Sequence, residues 1–272
     1  MSAPLVLEAG FQAPSLTQRR FGGLERLYGV SGAARIRASH VVVVGVGGVG
    51  SWTVEALARS GVGRLTLIDL DHVSESNINR QIHALDNTLG MAKVEAMRQR
   101  IAHINPDCVV TCIEDFVDPS NWPSILNGAD VDAVIDACDQ IKAKTAMAAW
   151  AIQQRMVFIS VGAAGGKRQA HKVDVDDLCH TSHDPLLAKL RYNLRREHGA
   201  AREGKKIGVA CVFSREAVAP PDASCDMPNN EQGDGSLNCS GYGSVVSVTA
   251  TFGQCAAGWV LDQISSSPLP KL

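Results

Sequence analysis

The stretch VVVVGVGGVGSWTVEALARSGVGRLTLIDLD, Val41 to Asp71, decides the fold. Four consecutive valines run into Gly45, Gly47, Gly48 and Gly50. A β-branched run with no polar alternation predicts a strand buried on both faces of a parallel sheet. Glycines directly after such a strand let the backbone turn sharply and approach a ligand closely. Ser51 to Arg59 is a good helix former, Gly61 is placed to end it, and a second apolar run, Leu65 to Ile68, stops at Asp69. Strand, glycine turn, helix, strand and acid make a nucleotide-binding βαβ unit, with amides for a phosphate and a carboxylate for ribose hydroxyls. Taken alone, this unit favours a nicotinamide or flavin dinucleotide over ATP; the residues after Asp69 reverse that preference.

Outward from this unit, strands and helices alternate. Thr88 to His103 carries Met91, Val94, Met97 and Ile101 at helical spacing. Cys108 to Ile113, Asp132 to Ala137 and Met156 to Val161 read as strands, and Lys142 to Gln154 as a helix. A short helix is expected over Asn121 to Leu126, and a strand over Lys167 to Val175. Asp184-Pro185 opens another helix, Gly208 to Phe213 is a strand, Pro220 to Asn238 an exposed loop, and Ser244 to Ile264 a buried helix rather than a membrane span. The expected fold is α/β: a Rossmann-like, doubly wound, mainly parallel sheet with helices on both faces and a C-terminal lobe. Before it, RRFGGLERLYG is expected to break at its paired glycines, with Ser31 capping a short helix through Arg37.

The chain has 272 residues and a net charge of −2, which excludes a uniformly basic nucleic-acid binder and a disordered chain. Its eight cysteines are scattered and form no C-x-x-C pair, so we expect reduced thiols, a cytoplasmic location and no structural zinc. The apolar run Pro4 to Leu7 lacks a basic flank and is not a secretory signal.

Asn77 and Arg80 lie in SNINRQ beyond the second strand, Lys93 in the first turns of the next helix, and Asp139 where DAVIDA ends. Loops at the carboxyl ends of parallel strands converge on one crevice, so Gly48, Asp69, Arg80, Lys93 and Asp139 are expected to face one ligand. Two cations and a separate acid exceed what a pyrophosphate needs and suit a triphosphate with Mg²⁺. Each residue alone also reads as a surface arginine, a solvated lysine or a helix cap.

GVGGVGS, IDLDHVSESNINRQ, GMAKVEA and DACDQ resemble the adenylating domain of the ubiquitin-activating (ThiF/MoeB-type) superfamily over about residues 19–165. Within it, RFGGLERLYG, NRQIHAL, INPDCVVT, DPLLAKLR, GVACVFS, CSGYGS and VTATFG resemble the tRNA threonylcarbamoyladenosine dehydratases over nearly the whole chain. The resemblance implies a flexible N-terminus at 1–18, an ATP-binding adenylating domain at 19–165, and a C-terminal substrate- and tRNA-binding extension at 166–272 packed on the same domain. It implies that Gly45, Gly47, Gly48 and Gly50 form the ATP loop, Asp69 binds ribose, Asn77, Arg80 and Lys93 hold phosphates, and Asp139 binds Mg²⁺. It further implies a homodimer and admits a cysteine desulfurase or sulfur-acceptor partner.

Two departures stand out. The metal-binding cysteine pairs of the pathway adenylyltransferases are absent. Their R-[FY]-x-R motif, whose second arginine reaches the partner subunit's ATP, has Arg20 first but Gly23 second, leaving Arg20, or alternatively Arg26, for the role in trans. Cys239 in NCSGYGS is a candidate covalent acceptor or a packed cysteine. Lys189, Arg191, Arg195, Arg196, Arg202, Lys205 and Lys206 face only Glu197 and Glu203 in that segment, a basic strip suited to tRNA phosphates or a solvated helix face. Lys167, Arg168, His171 and Lys172 extend it. Three rival functions share parts of this pattern: an adenylyltransferase activating the C-terminal glycine of a small carrier protein, an NAD-dependent oxidoreductase, and a scaffold with an inert nucleotide site.

Overall fold

A computed structural model of the chain describes residues 16–202, 204–222, 224 and 242–266. Helix α1 (Leu16–Ala38) leads into strand β1 (His40–Val44), helix α2 (Gly50–Arg59) and strand β2 (Arg64–Ile68). Then come α3 (Lys93–Ile104), β3 (Val109–Ile113), β4 (Ala133–Asp136), α4 (Ile141–Gln154) and β5 (Val157–Val161). The chain continues through β6 (Val173–Asp177), α5 (Pro185–Glu197), β7 (Ala210–Ser214) and α6 (Val246–Ser266). The seven strands form one sheet in the order β3-β2-β1-β4-β5-β7-β6, and only β6 runs antiparallel, at an edge.

All five residues of β1 are buried because both faces of the sheet are covered. Alternate side chains serve opposite layers. Val41, Val43, Leu65, Leu67, Ala133 and Ile135 pack beneath α2, α3 and α6, whereas Val42, Val44, Ile68, Val134 and Phe158 pack beneath α4 and α5. Strand order reverses between β1 and β4, and the crevice beyond their carboxyl ends is where doubly wound sheets place ligands.

Three expectations needed correction. The first helix already contains Leu16 to Gln18, and it passes through Gly22 and Gly23; the kink falls at Gly29, the residue with positive φ (73°). A helix tolerates glycines on an open face but must break where the backbone turns left-handed. Asn121 to Leu126 contributes only a 3₁₀ turn at Ser124–Leu126. The strand expected over Lys167 to Val175 instead runs from Val173 to Asp177. The C-terminal part packs on the same body: β6 and β7 complete the sheet, and α6 joins the layer over α2. Among the described residues no helix is long and apolar enough to cross a membrane. Most of the loop expected over Pro220 to Asn238, and Cys239 after it, lie outside the described residues.

Candidate active site

The glycine turn is held by close backbone contacts. Gly45 has φ 84°, and a Cβ there would stand 2.8 Å from the Cys138 nitrogen and 2.9 Å from the Ala137 carbonyl carbon. The loop after β1 therefore lies directly against the loop after β4. A Cβ on Gly50 would collide with the Gly45 carbonyl, and one on Gly48 would meet Arg80 Cγ at 3.3 Å. The turn delivers the start of α2, which has neither a side-chain cap nor an acid in its first turn. Uncapped N–H groups at a positive helix end suit an anion.

Register sets the neighbouring groups at the same level. Val44 pairs with Ile68 on one side and Asp136 on the other, so Gly45, Asp69 and Ala137 emerge side by side. Asp69 braces the turn: its Oδ2 accepts from the Val46 amide at 2.6 Å and its Oδ1 from the Asp71 amide at 2.9 Å. A carboxylate has about four acceptor positions, so ribose hydroxyls remain within its capacity. Burial raises the Asp69 carboxyl above its ordinary range, opposed by the Lys93 charge and the two amides.

Lys93 is buried at the first position of α3, where a cation works against the helix dipole. Acids hold it there: Nζ lies 2.6 Å from Asp71 Oδ2 and 4.0 Å from Asp69 Oδ1. Asp71 is 69% exposed and its side chain is free to give way when a stronger anion arrives. Arg80 lies over the glycine turn, with Nη1 donating to the Ser76 carbonyl at 2.7 Å and Asn79 Oδ1 at 2.9 Å; desolvation lowers its pKa. Trp52 Nε1, on α2, donates to the Arg80 carbonyl at 2.9 Å and ties that loop down. Asn77 is buried, and its Oδ1 accepts from the Ser74 amide at 3.1 Å, which leaves Nδ2 for a ligand. The turn, Asp69, Asn77, Arg80 and Lys93 thus meet at one crevice, and Asp139 follows β4 in the loop that Gly45 contacts.

Beneath that loop lies a buried network that the sequence does not reveal. Lys144 Nζ contacts Asp136 Oδ2 at 2.9 Å, Ser160 Oγ at 3.3 Å and the Val161 carbonyl at 2.7 Å, with both charged side chains 0% exposed. Burial pulls the Lys144 ammonium down, but the Asp136 carboxylate more than offsets it and the pKa is raised. The network pins the ends of β4 and β5 together just before Asp139. Its only signal in the sequence is an acid ending an apolar run, with a lysine eight residues on in a helix. Gln81 escapes sequence reasoning too; it is buried, its Nε2 stands 3.9 Å from where a Gly47 Cβ would be, and its Oε1 has no partner among the described residues.

The remaining candidates scatter. Arg20 Nη1 donates to the Ile104 carbonyl of its own chain at 2.7 Å, at the C-terminus of α3. In the basic strip, Lys189 and Arg196 lie 5.3 and 5.2 Å from the Tyr192 ring centroid, and Arg196 also pairs with Glu197. Arg195, Arg202 and Lys205 line a surface hollow, and Lys206 is exposed nearby. Arg191 is committed to the fold: its Nη1 donates to the Leu178 carbonyl at 2.8 Å, the Thr181 carbonyl at 3.1 Å and Thr181 Oγ1 at 2.9 Å. Lys167 leaves the strip as well, because it is buried with Nζ on the His183 and Glu216 carbonyls at 3.0 and 2.7 Å. Arg168, His171 and Lys172 are exposed. Burial raises the Cys138 thiol well above its ordinary pKa, and it donates to Asp136 Oδ1 at 3.1 Å, so it is no activated nucleophile. No cluster of three or more His, Cys, Asp or Glu able to hold a metal exists among the described residues.

Comparison with known proteins places this crevice in a family. The chain is 43% identical over 252 residues to the tRNA threonylcarbamoyladenosine dehydratase of Escherichia coli (strain K12), covering 91% of this chain and 94% of that protein. It is 37% identical to the same-named protein of Bacillus subtilis (strain 168), over 78% of this chain and 82% of the relative. A crystal structure of the E. coli enzyme, TcdA, in complex with ATP superposes with a TM-score of 0.81 at 41% identity, over 91% and 94% of the two chains. The ThiF family model matches residues 22–272, and with the glycine turn, Asp69, Arg80 and Lys93 gathered at the switch point, the chain belongs to the ThiF family.

Proposed function

We propose that this protein is an ATP-dependent dehydratase that cyclises N6-threonylcarbamoyladenosine in tRNA. The observation that carries the reading is the meeting of the uncapped α2 N-terminus, Arg80 and Lys93 at one crevice, in a chain that aligns with named dehydratases over nearly its full length. The threonyl carboxylate attacks the α-phosphorus of ATP, pyrophosphate leaves, and an acyl-adenylate forms. The carbamoyl group then attacks the activated carbonyl, AMP departs with the carboxylate oxygen, and the ring closes. The second step is intramolecular, so proximity supplies much of its rate. Amides of the glycine turn, Asn77, Arg80 and Lys93 hold phosphates and stabilise the charge that grows on them, and Asp69 holds the ribose.

Mg²⁺ fits this donor set. Nucleotide-bound magnesium takes one or two carboxylates plus phosphate oxygens and water rather than a protein cage, and Asp139 is the acid in the loop after β4. It would neutralise phosphate charge. Leu27 and Val30, 71% and 70% exposed on α1, support a homodimer, with Arg20 as the arginine acting in trans. Cys239 is the candidate acceptor should a thioester form. A cytoplasmic location suits thiols left unpaired among the described residues.

The test is incubation with ATP, Mg²⁺ and tRNA bearing threonylcarbamoyladenosine, followed by mass spectrometry of the nucleosides under conditions that spare the ring. We expect loss of one water, dependent on ATP, with Lys93→Met slower by roughly 10²-fold or more. Pyrophosphate exchange driven by a carrier-protein tail, with tRNA unchanged, would reassign the protein to the carrier adenylyltransferases.

A further inference from the structure

A cleft of about 620 Å³ lies between α1, the end of α2, α3 and the turn at 83–88. Arg59, Arg100, His83 and His103 line it, Arg20 stands at its α1 edge on the Ile104 carbonyl, and no carboxylate lines it. We propose that this cleft binds backbone phosphates of the RNA beside the nucleotide undergoing reaction; the inference rests on the tRNA reading above.

Its cations are set in place by one buried acid. Glu55 Oε1 accepts from Arg59 Nε at 2.7 Å, while Arg100 donates Nε to Oε2 at 2.6 Å and Nη2 to Oε1 at 3.1 Å. One carboxylate thus orients two guanidiniums and leaves the trio net positive. Both terminal nitrogens of Arg59 and Nη1 of Arg100 keep donors without a partner among the described residues. A planar, pre-positioned guanidinium is the group suited to phosphate oxygens.

His83 is the second, independent observation. Its side chain is buried at the cleft, yet neither ring nitrogen has a hydrogen-bond partner among the described residues. A buried polar group left unpaired costs free energy and calls for an explanation such as an absent ligand. The cleft is also correctly placed. Arg100 follows Lys93 by seven residues on α3, a rise of about 10 Å. Phosphates repeat every ~3.4 Å along the axis of a nucleic-acid strand. The cleft therefore begins about three such steps along α3 from the ATP phosphates proposed to sit at Lys93, within reach of an RNA strand whose base reacts there.

The test is fluorescence anisotropy with tRNA across a salt series, alongside ATP binding and melting temperature. Arg59→Gln keeps the Glu55–Arg100 pair, and Asn87→Asp places a negative charge at the cleft without touching that pair. We expect each to weaken tRNA binding by about fivefold, and Arg59→Gln to lower the salt slope by roughly one. Arg98→Gln, on the same helix but outside the cleft, should bind tRNA as the unmodified protein does. An equal loss in Arg98→Gln, or tRNA affinity unchanged in both cleft variants, overturns the inference. So does a loss confined to free ATP or to an acidic peptide probe. If the unmodified protein dehydrates tRNA while the cleft variants bind it normally, this inference alone fails; if it neither binds nor dehydrates tRNA, the functional reading fails first.

Discussion

Charge in this protein is managed by burial at individual residues. Lys144 and Asp136 are both fully buried, and each satisfies the other. Lys144→Met removes the ammonium and strands a carboxylate in a dry interior, so we expect a loss of about 3–5 kcal/mol in urea denaturation. His83 makes a different prediction. Burial, with Lys93 and Arg100 nearby, lowers its pKa to about 4, against 6.5 for the unfolded chain. The unfolded state therefore binds a proton that the folded state refuses. The associated stability is intact above pH 6.5 and is lost as pH falls towards 4, about 2 kcal/mol of it by pH 5. Urea midpoints at pH 7 and pH 5 measure the loss, and His83→Gln should flatten that dependence. Asp69 was legible in the sequence because it stops an apolar run at a strand end, and Arg80 and Lys93 because they follow in the loop and helix start that such a strand leads into. Asp136 and Lys144 were not, because a buried ion pair across two elements leaves no local pattern.

Elements carry the fold through close approach. Helix α6 rests on α2 at Gly253, where a Cβ would stand 2.6 Å from the Val49 carbonyl and 2.9 Å from the Thr53 nitrogen. Thr53 Oγ1 also donates to the Gly253 carbonyl at 3.3 Å. The last helix thus props the helix that begins at the glycine turn. Gly253→Val should push the two apart, costing about 1–3 kcal/mol in chemical denaturation and raising KM for ATP. Unchanged stability and KM would mean that the α6–α2 packing yields freely. The βαβ order and α6 itself were legible from periodicity. The Gly29 kink was not: Gly22, Gly23 and Gly29 look alike in sequence, and only packing decides which one adopts positive φ.

At the scale of the whole molecule, a net charge of −2 hides uneven placement. Cations of α5 and the segment after it belong to the face of the sheet that α4 and α5 cover, and the arginine cleft to the face that α2 and α3 cover. Changing Lys189, Arg195, Arg202 and Lys205 together to glutamine should weaken tRNA binding more than tenfold. It should also lower the salt slope by up to roughly three, at about 0.7 for each single-strand phosphate no longer neutralised. ATP affinity should hold. Salt-titrated tRNA binding checks this, and an unchanged slope would show that α5 does not touch RNA.

By itself the sequence determined the doubly wound sheet, the glycine turn and the residues at the strand ends, because each is written in a contiguous run whose period and punctuation obey local sterics. Only the tertiary structure decided that Arg191 and Lys167 serve the fold rather than the strip, that Arg20 reaches α3, and that an arginine cleft stands beside the nucleotide site. Those outcomes depend on which carbonyls and carboxylates approach a long, flexible cation from distant parts of the chain, and distance in space is set by packing.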